Sequence, residues 1–110
     1  MKNLITIAAT IFLTNVAFAQ KGIETVKIQT SAVCEMCKET IEKQLAFTKG
    51  VTAANLDLET FIVTVSIRSK KTTIEAIRKA INAVGYDADD SPATKEGYDN
   101  LHDCCKKDSH

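Results

Sequence analysis

The chain has 110 residues, with 14 Lys and Arg against 14 Asp and Glu, four Cys, two Tyr, four Phe and no Trp. That length holds one small domain. Balanced charge and few aromatics exclude a basic stripe or a base-stacking platform, so nucleic acid is not an expected partner.

Lys2 precedes an apolar run from Leu4 to Phe18, and Ala17-Phe18-Ala19 is a small-x-small cleavage pattern before Gln20. Residues 1–19 read as a secretory signal. A retained membrane anchor is disfavoured, because the run is shorter than the roughly 20 apolar residues of a spanning helix. Thr6, Thr10, Thr14 and Asn15 also interrupt it. The expectation is an exported, periplasmic monomer without stable membrane insertion after cleavage. In that compartment disulfides can form.

Residues 23–30 alternate Val26, Ile28 and Thr30 with polar neighbours as in a half-buried strand, and Cys37, Ile41 and Leu45 then recur as one face of a helix over 36–47. Lys49-Gly50 stops that helix. Val51, Ala54, Leu56 and Leu58 suggest a second strand of mixed alternation. Phe61, Val63, Val65 and Ile67 predict a third, joined to the second by a turn at Leu58-Glu59-Thr60 and paired with it antiparallel. Thr72-x-x-Glu75 has the pattern of a capping box. Ile74, Ile77, Ile81 and Val84 follow at helical spacing, with Arg78, Lys79 and Asn82 on the other side, and Gly85 ends the helix. Tyr86-Asp87-Ala88-Asp89 is a short closing strand. The order βαββαβ predicts an α+β, ferredoxin-like open-faced sandwich, an antiparallel sheet with two helices on one face.

Cys34-Glu35-Met36-Cys37 falls where the first strand gives way to the first helix. Free amide N–H groups and the positive end of the helix dipole stabilise a thiolate there. Two intervening residues let both sulfurs converge on a soft metal ion, or on each other as a disulfide. Met36 points away from such a site as a surface or packing residue, and Lys38 reads as an ordinary solvated helix lysine. A thioredoxin-like oxidoreductase is disfavoured, because the sole proline, Pro92, lies far from the clip and no tryptophan precedes it.

After residue 90 the apolar period disappears, so the domain is expected over 20–90 and a flexible tail over 91–110. That tail contains Cys104 and Cys105 together with His102 and His110. Vicinal cysteines are poorly shaped for a mutual disulfide, since one peptide link separates their α-carbons by about 3.8 Å. Extra metal ligands reached by the tail folding back, a separate tail site, and redox pairing with Cys34 or Cys37 all stand open. The two histidines read as solvated.

Cys34-Glu35-Met36-Cys37 after strand one, Gly50-Val51 before strand two and Ala83-Val84-Gly85-Tyr86-Asp87 after helix two together resemble the heavy-metal-associated domain family. That family includes periplasmic mercury-binding proteins and copper chaperones. Over residues 23–89 the resemblance implies the same sandwich fold and a single soft ion bound by Cys34 and Cys37. It also implies transfer of that ion to a metal-transporting ATPase, an efflux system or another carrier. Tyr86 matches the aromatic that the family places beside the metal loop. Ser31-Ala32-Val33 stands where the family usually has Gly-Met-Thr.

Cu(I) is the first expectation for the ion, and two thiolates also accept Hg(II), Zn(II) and Cd(II). A carrier of this kind is not an enzyme. The alternative is a periplasmic thiol-disulfide protein cycling Cys34 and Cys37, with Cys104 or Cys105 resolving. A third reading, a metal-free docking module, is disfavoured by the clustered thiols.

Overall fold

The structure is a computed structural model that describes residues 22–106. The signal reading of residues 1–19 and the reading of His110 lie outside the described residues. Three strands, β1 (Ile23–Gln29), β2 (Val51–Leu56) and β3 (Ile62–Arg68), form an antiparallel sheet of order β1-β3-β2. Helix α1 (Glu35–Ala46) follows β1, and α2 (Ile74–Ala83) follows β3. This is the ferredoxin-like arrangement.

β3 is the central strand, with Val63 opposite both Ile28 and Leu56, and Val65 opposite both Val26 and Ala54. Its inward residues Val63, Val65 and Ile67 are buried, as strand alternation requires. Against them pack Cys37, Ile41 and Leu45 of α1 and Ile77 and Ile81 of α2. The mixed alternation of β2 has a local cause. Pairing with β3 shifts register between Val51 and Ala53, and one extra residue resets the phase so that Val51 and Ala54 both pack against the core.

A polar clip fastens α1 to the end of β2. Lys38 Nζ lies 2.7 Å from Glu42 Oε2 and donates to the Leu56 carbonyl at 2.9 Å, while the Leu56 N–H donates to the same Glu42 oxygen at 2.7 Å. Lys38 is therefore a tied, half-buried side chain and not the solvated lysine expected.

Several boundaries differ from the sequence expectation. β2 ends at Leu56, because Asp57 starts the turn: its carboxylate accepts the Glu59 N–H, and its carbonyl accepts the Phe61 N–H at 2.7 Å. Phe61 closes that turn in the left-handed region (φ 60°), so β3 begins one residue later. The cap of α2 is Thr73, whose hydroxyl accepts the Ala76 N–H, in place of Thr72, which lies against Gly50. Tyr86–Asp89 is not a full strand. Ala88 forms a single bridge to Thr30 on the free edge of β1, and Asp89, at φ 55°, turns the chain back so that Ala88 also pairs with Ser91. Asp89 holds that corner by accepting the Gln29 N–H at 2.9 Å and an Arg78 N–H at 3.0 Å.

The largest difference is the segment expected to be a tail. It carries a short helix, α3 (Lys95–Asp99), and a 3-10 turn over Asp103–Cys105. Thr94 caps α3 by accepting the Gly97 N–H, and the Thr94 N–H in turn donates to the Asn82 carbonyl at 3.1 Å. Asn82, expected on the polar side of α2, is buried, with its amide donating to the Tyr86 and Ser91 carbonyls. The segment covers that side of the helix. We refer to residues 94–106 as the strap.

Candidate metal centre

The cysteine clip sits where β1 and α1 meet. Cys34 occupies the N-cap position with extended backbone, and its carbonyl accepts the N–H groups of Cys37 and Lys38 at 3.1 and 3.2 Å. Its own side chain caps nothing and stays free for chemistry. Cys37 lies in the first turn of α1. The sulfurs of Cys34 and Cys37 are 3.4 Å apart, and both are unbridged thiols.

Cys37 is fully buried and Cys34 partly so. Burial pushes the Cys37 thiol up. The Tyr86 hydroxyl, the Val33 backbone and the Cys34 and Cys105 thiols act the other way and leave it below the ordinary thiol range. A thiolate is the better soft-metal ligand and nucleophile.

The strap carries the other two cysteines to the same place. Cys105 is 2% exposed, and its sulfur lies 4.0 Å from that of Cys34 and 3.9 Å from that of Cys104. The sulfurs of Cys34, Cys104 and Cys105 all fall within 4.8 Å of one another. Burial and the neighbouring Cys37 push the Cys105 thiol up to about 12. Cys104 is exposed at the rim, 4.0 Å from the Met36 sulfur. His102 is exposed and lies outside the cysteine group.

Tyr86 is fully buried, as a residue beside the metal loop and as a core side chain at once. Burial and the neighbouring Cys37 and Cys105 push its phenol upward, so it keeps its proton. The hydroxyl makes no well-formed hydrogen bond among the described residues.

Sequence reading named Cys34 and Cys37, whose sulfurs the structure brings to 3.4 Å, and left Cys104 and Cys105 open. It missed the residues that hold the strap in place, Asn82 and Gly97. The available signal was Thr94-x-x-Gly97, a short capping pattern in a stretch without apolar periodicity.

A ferredoxin-like sandwich with a thiol pair at the first helix N-terminus defines a class of metal-binding domain. The heavy-metal-associated domain family matches this chain over residues 25–87, and the chain belongs to that family. The copper chaperone CopZ of Staphylococcus epidermidis is 37% identical over 54 residues, which is 49% of this chain and 79% of that protein. A copper-exporting P-type ATPase of Staphylococcus saprophyticus is 40% identical over 55 residues, half of this chain but only 7% of the ATPase's length. Among solved structures, a CopZ metallochaperone aligns with a TM-score of 0.57 at 29% identity, over 59% of this chain and 98% of that one. Oxidized MerP from Ralstonia metallidurans CH34 aligns with a TM-score of 0.57 at 25% identity, over 60% and 93% respectively. The matched family segment stops before the strap.

Proposed function

We propose that this protein is a carrier of a soft metal ion, Cu(I) first, which it holds between the thiolates of Cys34 and Cys37. It passes the ion by ligand exchange to a metal-transporting ATPase, an efflux system or another carrier. The observation that carries this reading is the 3.4 Å approach of two free thiols at the N-terminus of α1. The similarity to a copper chaperone and to a copper-exporting ATPase supports the choice of ion and partner. Hg(II), Zn(II) and Cd(II) suit the same donors.

In the transfer step, a partner thiolate joins the ion to give a three-coordinate intermediate, and Cys34 or Cys37 then departs. Cys34 is the more exposed of the pair and is the sulfur a partner reaches first. The helix N-terminus stabilises the negative charge of the thiolate complex throughout. The apolar run and small-x-small pattern of residues 1–19 support an exported, periplasmic carrier.

The test is Cu(I) competition on the reduced chain. Tight binding that is lost in both Cys34→Ser and Cys37→Ser supports the carrier. Parent affinity retained by either variant rules it out. The same proximity of thiols favours a second reading, a thiol-disulfide protein, which predicts a defined two-electron potential and reduction of a partner disulfide without bound metal.

A further inference from the structure

Two thiolates suffice for the carrier reading, yet Cys34 belongs both to the Cys34–Cys37 clip and to a group with Cys104 and Cys105 whose sulfurs lie within 4.8 Å of one another. Cys34 is the hub, 3.4 Å from the Cys37 sulfur and 4.0 Å from the Cys105 sulfur, with Cys104 a further 3.9 Å from Cys105. With metal–sulfur bonds of about 2.3 Å, a linear pair has its sulfurs about 4.6 Å apart, a trigonal set about 4.0 Å and a tetrahedral set about 3.8 Å. The Cys34–Cys105 and Cys104–Cys105 spacings match the higher coordination numbers, and the 3.4 Å Cys34–Cys37 approach is shorter than any of them, so that pair opens slightly on an ion. All of these spacings are also far from the roughly 2.05 Å of a disulfide.

The strap positions these sulfurs through a built interface. Gly97 of α3 lies so close to the end of α2 that a Cβ there would fall 2.5 Å from the Ala83 carbonyl oxygen and 2.7 Å from the Gly85 nitrogen. The Asn82 carbonyl receives the Thr94 N–H at the start of the strap, and Leu101 packs on the core. At its end the Cys105 N–H donates to the His102 carbonyl at 2.8 Å, which folds the 3-10 turn and buries the sulfur. A second observation points to a ligand. The buried Tyr86 hydroxyl faces the Cys37 and Cys105 sulfurs but makes no well-formed hydrogen bond among the described residues. Thiolates held by an ion would give it one.

We propose that residues 94–106 are a ligand strap. It supplies Cys105, and then Cys104, as third and fourth thiolates to the Cys34–Cys37 pair, closing one soft d10 ion into a three- or four-sulfur site. Cu(I) takes the trigonal set, and Cd(II) or Zn(II) the tetrahedral one. This inference rests on the carrier reading and says how that site is closed. Each thiol that engages the ion releases one proton to water. On transfer, each bond from the ion to a strap sulfur breaks as a bond to a partner thiolate forms, and the departing strap thiolate takes up a proton. No electron moves. The strap therefore occupies the coordination positions that a partner must take.

The experiment loads the reduced full chain, and its Cys104→Ala/Cys105→Ala variant, with Cu(I). It measures ion stoichiometry, sulfur count by X-ray absorption, and affinity by competition. The expected result is one ion per chain in both, three or four sulfurs in the parent, two in the variant, and affinity about 10-fold or more weaker in the variant. A count of two sulfurs in the parent, or two ions per chain, overturns the strap site and leaves the carrier reading standing. No binding by the parent removes the carrier reading, and the strap site with it. If the double variant proves misfolded by circular dichroism, the parent's own sulfur count and the single exposed-site variant Cys104→Ala decide the matter.

Discussion

Gly85 and Gly97 meet backbone to backbone: a Cβ added to Gly85 would fall 2.6 Å from the Gly97 carbonyl oxygen, and one added to Gly97 would fall 2.7 Å from the Gly85 nitrogen. Gly85 also holds φ at 104°, a conformation that L side chains rarely adopt. The pair ends α2 and seats α3 in one contact. The strap that brings Cys104 and Cys105 to the CxxC loop is seated here, together with the Thr94–Asn82 bond and the packing of Leu101 on the core.

Gly97→Ala is therefore expected to push the strap away from α2. Its added methyl meets backbone atoms, which cannot rotate aside as a side chain would, so the loss should be about 1–3 kcal/mol. Cys105 should then alkylate faster than in the parent, while β1–β3 and α1 keep their signals. Mass-spectrometric alkylation of the reduced chain checks this, and an unchanged Cys105 rate would show that the contact does not hold the strap.

Glu42 offers a test of the polar clip between α1 and β2. One of its oxygens serves both the Lys38 ammonium and the Leu56 N–H, and both side chains of the ion pair are about three-quarters buried. Glu42→Ala leaves the backbone N–H and the ammonium without that acceptor, at a cost of about 1–3 kcal/mol. Glu42→Gln keeps an acceptor for Leu56 and should cost less. Urea unfolding of the two variants gives the comparison, and equal losses would mean that the backbone bond contributes nothing.

Tyr86→Phe should leave the metal-free chain as stable as the parent, or more so. The hydroxyl lies in the core facing the Cys37 and Cys105 sulfurs without a well-formed hydrogen bond among the described residues, so its removal sacrifices little and relieves a desolvated group. Thermal melting of the reduced, metal-free protein is the measurement. A loss above about 1 kcal/mol would show that the hydroxyl is satisfied in solution.

Strand and helix periodicity made most of the fold legible, because one face of each element meets the core and the other meets water. Val26, Ile28, Val63, Val65 and Ile67 alternate for that reason, and Cys37, Ile41 and Leu45 recur with the helical repeat. The clip was legible too, since Cys34 and Cys37 are local in sequence and lie at a strand-to-helix junction that periodicity identifies. Turn and cap positions were less so. Asp57 and Thr73 each compete with a neighbour of similar chemistry, and only the register of the folded chain selects between them.

The strap was illegible for a different reason. Two of its main contacts are backbone to backbone, Gly97 on Gly85 and Thr94 on Asn82, and its apolar contacts, Leu101 and Cys105, are too few to make a period in the sequence. Asn82 looks solvent-facing along α2 until residues from the strap cover it. Hydrophobic pattern and local spacing are enough to encode the sandwich and the thiol pair. The 4.0 Å approach of Cys105 to Cys34 emerges in three dimensions alone, because the two are 71 positions apart and the seating of the strap, centred on two glycines and not on any repeat, closes that distance.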